Sequence, residues 1–167
     1  MALLGTTKIV ADLTYTETSD PLTTPTQVAA VTISHEWAAS TVDVLYANRV
    51  TLEASGGAQS YDLYGALTDR FGATINLATL RELIIYNRAT TAGYDVKLAG
   101  NLLRHASSPI VDSWTDDTIS IVIRAGGHFA IAAPVDGYAI SAGAYDAFTL
   151  DPGANEVDVD IVVLGKA

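Results

Sequence analysis

The chain contains no cysteine. Disulfide scaffolds, thiolate zinc sites, iron–sulfur clusters and cysteine nucleophiles are therefore excluded, and cysteine usage says nothing about redox compartment. Positive charge is scarce: three lysines and six arginines stand against nineteen acidic residues, for a formal net charge of −10. Binding phosphates along a groove needs a basic stripe, so nucleic acid is not an expected partner. The same balance disfavours an anionic membrane surface. No apolar run approaches the ~18 residues of a membrane-spanning helix. The opening Met-Ala-Leu-Leu-Gly-Thr-Thr-Lys lacks the basic and apolar regions of a secretory signal. The expectation is a soluble chain made in the cytoplasm of its producing cell. Helical periodicity is missing too, with no amphipathic pattern of about ten residues or more.

What is present suits one β-rich domain. The 167 residues are 49% apolar and 17% charged, a balance that excludes global disorder. A chain of this length buries roughly 68–70% of its unfolded surface, enough for a core without staples. Fourteen of the nineteen acids are Asp, a residue that favours turns and caps, whereas Glu favours helices.

The first 26 residues differ from the rest. Residues 14–26, TYTETSDPLTTPT, are rich in Thr, carry Pro21 and Pro25, and offer little to bury. They read as an extended N-terminal arm over residues 1–26, either a floppy terminus or an arm that orders against a neighbouring subunit, followed by a single domain over 27–167. Short β-type runs then recur: 27–34, 40–52 (one long strand, or two with a break near Ala47-Asn48), 60–64, 80–87, 94–98, 118–124, 128–133, 138–141, 147–150 and 156–164. The segment 65–79 reads as a loop with a short helical turn, and 99–109 as polar and small. Leu80, Leu83 and Ile84 could share a helical face, but the shortness of the run and its Ile-Ile-Tyr-Asn ending favour a strand.

The clearest alternation is EVDVDIVVL, residues 156–164, which places Val157, Val159, Ile161 and Val163 inward and Asp158 and Asp160 outward. A wet face of this kind suits an antiparallel sheet. The resulting fold class is all-β: an antiparallel β-sandwich or jelly roll of roughly 8–10 short strands.

Chemistry-bearing motifs are few. His35, His105 and His128 have no zinc-ligand spacing. The trio His35-Glu36-Trp37, at a strand end, reads as a loop with a packed Trp, and His128 as an exposed or interface residue after the Gly126-Gly127 turn. The carboxylate pairs are Asp116-Asp117, in a turn, and Asp158-x-Asp160, on one solvated strand face. Loop aspartates leave calcium as a weaker alternative, though no EF-hand or glycine-rich repeat is present. No GxSxG elbow, phosphate-binding loop or GxGxxG occurs. No catalytic, cofactor-binding or metal-ligating residue is assigned, and no cofactor is expected. Eight tyrosines are spread along the chain; they serve half-buried β faces and interfaces, or a sugar-stacking shelf.

The stretch IVIRAGGHFAIAAPVDGYAISAGAYDAFTLDPGANEVDVDIVVLG, residues 121–165, resembles small structural proteins of tailed bacteriophages. The shared pattern is a strand, a Gly-Gly-aromatic turn, an apolar strand, a Gly-Tyr strand, AGxxDxxTL and a closing alternating strand that ends in Gly. LRELIIYNRAT, residues 80–90, followed by YDVKLAGN, fits the same pattern. The resemblance covers about half of the chain. It implies a β-sandwich or jelly-roll virion protein of the head-decoration (capsid cement) kind, without enzymatic activity. The implied partner is the major capsid protein lattice, the implied assembly a homo-oligomer (dimer or trimer), and the implied location the capsid surface. Two other readings use the same fold: a receptor- or carbohydrate-binding module of a tail tip or fibre, and a β-sandwich hydrolase with Asp116 and Asp117 as its acids.

Overall fold

A computed structural model describes residues 5–16, 26–37, 40, 42–69, 72–104 and 120–167. Two antiparallel sheets share one apolar interior. The larger contains β10 (His128–Ala132), β7 (Thr79–Asn87), β13 (Val157–Lys166) and β3 (Val44–Leu52) in that order, with β11 (Tyr138–Ala139) also paired to β7. The smaller runs β4 (Gln59–Asp62), β12 (Ala147–Asp151), β8 (Val96–Ala99) and β9 (Ile121–Ile123). Two hairpins complete the set: β1 (Gly5–Thr16) with β2 (Thr26–Trp37), and β5 (Tyr64–Thr68) with β6 (Thr74–Asn76). All registered pairs are antiparallel. The all-β sandwich expected from the alternation is what forms; the jelly-roll connectivity is not part of that finding.

The core follows the period of two. Val157, Val159, Ile161 and Val163 of β13 are buried, while Asp158 is exposed and Asp160 lies between. Their inward side chains meet Leu80, Leu83 and Ile85 of β7 in one cluster with Tyr61, Val96, Leu98, Phe148 and Leu150 of the smaller sheet. Each fully buried aliphatic side chain contributes roughly 1.5–3 kcal/mol. Tyr61 stacks on Phe148 with ring centroids 5.1 Å apart, an arrangement that adds to simple burial. Desolvation, reinforced by the nearby Tyr46, pushes the Tyr61 hydroxyl up to about 12, so it stays neutral at physiological pH.

Three local expectations are corrected, and one open alternative is decided. Residues 5–16, read as part of an arm, form a twelve-residue strand registered with β2 from Gly5↔Trp37 to Thr16↔Thr26. Residues 17–25 lie outside the described residues. The expected loop at 65–79 contains most of β5, β6 and the start of β7, and no helical turn among the described residues. Of the two readings of 40–52, the single long strand is the one that forms, because β3 pairs with β13 without interruption from Val44 to Leu52. The polar segment at 99–109 contains a 3-10 turn, Asn101–Arg104, that buries Leu102 and Leu103 in the main core.

Candidate interaction surface

β7 supplies the residues that organise the outside of the larger sheet. Its core-facing set, Leu83, Ile85 and Asn87, is buried, so Ile84, Tyr86 and the following Arg88 fall on the outer face. There Asp160 of β13 is held by two guanidinium groups, Arg49 Nε at 2.7 Å and Arg88 Nη1 at 2.7 Å. The Arg49 hydrogen bond leads in holding the Asp160 carboxyl below the usual carboxylate range, and Arg88 adds to it against the opposing effect of burial. The same pairing raises Arg49. Arg88 also lies 5.9 Å above the Tyr86 ring, and Thr51 donates to Asp158 at 2.7 Å.

Beside this cluster is an open cleft of about 280 Å³ lined by Arg88, Thr90, Thr91, Tyr94, Glu156 and Asp158, among others. Among the described residues, its lining holds no histidine, cysteine or serine. A second cleft, bordered by Tyr46, Ala47, Asn48, Thr68 and Asp69, is similarly polar. Among the described residues, no group of three His, Asp or Glu side chains could hold a metal ion.

The other residues singled out from sequence are dispersed. His128 opens β10, exposed and registered with Tyr86. Trp37, the last residue of β2, is buried with Val42 and Leu164 in a second, smaller apolar cluster. Leu164 sits on the opposite face of β13 from the core residue Val163, so Trp37 attaches β2 to the outside of the larger sheet. His105, Asp116 and Asp117 lie outside the described residues. The tyrosines divide: Tyr46 and Tyr61 belong to the core, while Tyr64 and Tyr86 are exposed on different strands.

Sequence reasoning missed one arrangement entirely. Arg81 of β7 has no Cα partner on either side: the β13 register jumps from Leu164↔Glu82 to Gly165↔Leu80, and β10 stops at Ala132↔Glu82 before β11 resumes at Tyr138↔Leu80. This is a β-bulge, which re-aims the extra residue. Gly165 makes the close approach possible, since a Cβ there would lie 2.5 Å from the Thr79 carbonyl oxygen and 2.7 Å from Leu77. Opposite the bulge, the chain leaves the sheet over residues 133–137. Arg81 follows it, and Nη1 donates to the carbonyls of Val135 at 2.5 Å and Pro134 at 3.4 Å. Ala133 N donates to Arg81 O at 2.8 Å, and Gly137 N to Ala133 O at 3.0 Å. Gly137 has φ +72° and lies against Arg81, leaving no room for a Cβ without displacement. The buried Arg81 Nε has no hydrogen-bond partner among the described residues. Such a group costs about 1–3 kcal/mol, which the rest of the bulge must offset. Pro-x-Asp-Gly at 134–137 is a turn signal; nothing in the sequence says that an arginine fifty-odd residues earlier braces it.

No protein-family model, curated protein or solved structure matches this chain.

Proposed function

We propose that this chain is a non-enzymatic structural protein of a tailed-bacteriophage particle that decorates and cements the capsid lattice through subunit contacts. The observation that carries the reading is the β1–β2 ribbon. Its strands pair with each other over twelve residues and join neither large sheet. At about 3.4 Å per residue the ribbon is about 40 Å long, far enough to reach a neighbouring subunit. A two-stranded ribbon is at best marginally stable by itself in water, and its edges carry unpaired backbone donors and acceptors that another chain can use. Trp37 ties its end to the larger sheet. The register sets apolar positions 9, 11 and 13 opposite 33, 31 and 29.

The mechanism is mass action. A subunit that binds the assembled lattice, and not its dissociated components, stabilises the lattice by its binding free energy. Repetition over symmetry-related sites, as a dimer or trimer, turns modest contacts into avidity. The test is copy number, from quantitative mass spectrometry of purified particles relative to their major capsid protein. Abundance within a small factor of the capsid protein is the expected result. A handful of copies per particle favours the receptor- or carbohydrate-binding reading, and absence from particles overturns the assignment.

A further inference from the structure

We propose that Val135 is a preformed contact knob, held out by Arg81, that seats in an apolar socket with a basic rim on the lattice protein. This inference rests on the capsid-decoration reading above and names where one of its contacts lies.

Val135 is 82% exposed, against 45% for Tyr64, 44% for Val122 and 37% for Tyr86. A single exposed aliphatic residue on a mobile tip has no special meaning. Val135 is different because its backbone is pinned. Its carbonyl accepts from Arg81 Nη1, the turn is closed by Gly137 N on Ala133 O, and Ala133 N is held by Arg81 O. The bracing side chain is itself part-buried and leaves one buried N–H without a partner. Ordering a loop on association lowers affinity, and a loop ordered beforehand avoids that loss. A rigid turn that presents an apolar side chain is therefore built for contact, with the aliphatic tip as anchor and its polar surroundings as rim.

The occupant follows from charge and from the rest of this chain. The two clefts named above have polar linings, and a second copy carries the same net charge of −10, which disfavours self-docking. Asp136, exposed beside Val135, and a net charge of −10 match a partner whose socket is rimmed by Lys or Arg. Such complementarity also speeds encounter.

The test uses the full chain added back to particles from which it has been stripped, with binding read by co-sedimentation. Val135→Asp is expected to weaken binding at least tenfold with an unchanged melting midpoint, and Val135→Ile to stay within threefold of the parent. Arg81→Met, which removes the brace but keeps the valine, is expected to fall between them. If the parent binds and Val135→Asp binds equally well, the knob is overturned while the decoration role stands. If the parent itself does not bind, the decoration role fails and the knob falls with it. If Val135→Asp instead abolishes self-association in analytical ultracentrifugation and leaves particle binding intact, the occupant is a second copy and the lattice socket is overturned.

Discussion

The side chain of Asn87 donates to the main-chain carbonyl of Ile123 at 3.0 Å, linking the central β7 to the edge strand of the opposite sheet. The same amide donates to the Tyr94 carbonyl at 2.8 Å, and its oxygen accepts from Ala89 N at 2.9 Å. Asn87 is fully buried. A polar side chain in that position is tolerated because these three bonds satisfy it.

Replacing Asn87 with Leu leaves two carbonyls and one N–H without their side-chain partner. The expected loss is about 2–4 kcal/mol, read as a lower urea midpoint with an unchanged slope. Asn87→Asp does worse at neutral pH, because a carboxylate then faces the two carbonyl oxygens. A midpoint within error of the parent for either variant refutes the pin.

Gly165→Ala tests the bulge. The added Cβ meets the Thr79 carbonyl and the Leu77 side chain, and such overpacking typically costs about 1–3 kcal/mol. The shift is expected to displace Arg81 as well, so solvent exchange of the Ala133 and Gly137 amides quickens beyond what global destabilisation explains. Equal protection of both amides in parent and variant contradicts the coupling between bulge and turn.

Trp37→Ala probes the ribbon's attachment. Trp37 packs in the smaller cluster with Val42 and Leu164, separate from the main core. Cleavage within residues 26–36 by a broad-specificity protease is expected to accelerate at least tenfold. The main melting transition moves by no more than about 4 °C, equivalent to roughly 1–2 kcal/mol for a chain of this size. A large drop in that transition, with no separate ribbon cleavage, makes Trp37 part of the domain's core instead.

Asp160 gives the chain an acid-side dependence. Its carboxyl titrates below the ordinary range because Arg49, and then Arg88, hydrogen-bond the charged form. A depressed folded-state value stabilises the fold above the unfolded value of about 3.9, and that stabilisation is lost as pH falls through the folded value. The melting-point gap between parent and Asp160→Asn is therefore constant near neutrality and closes below about pH 4. Added salt narrows it, since the arginines are exposed. A gap that persists unchanged to the acid limb removes the ion triad as its source.

Legibility in the sequence followed the range of the interaction responsible. EVDVDIVVL shows its buried and wet faces directly, because alternation is a property of neighbouring residues. LRELIIYN is a strand in the structure for the reasons its shortness and its ending suggested. β1 forms where Ile9, Ala11 and Leu13 alternate with mostly polar residues and the threonines are β-branched, a short pattern that the Thr/Pro character of 14–26 obscures. β5 and β6 are short, and their pairing starts at Tyr64↔Asn76 across a stretch that composition marks as loop. Asn87 reads as the polar end of an apolar run, and only its partners beyond that run, the carbonyls of Tyr94 and Ile123, explain its burial.

By itself, then, the sequence determined the all-β class, the inward rows of β7 and β13 and the exclusion of thiol chemistry, since these follow from residue type and a two-residue period. The tertiary structure alone decided strand order, the β1–β2 register, the double clamp on Asp160 and the pairing of Arg81 with the 133–137 turn. Those depend on groups distant along the chain, brought together by burial of a shared core and by the need to satisfy backbone hydrogen bonds, and neither requirement names its partners in a linear string.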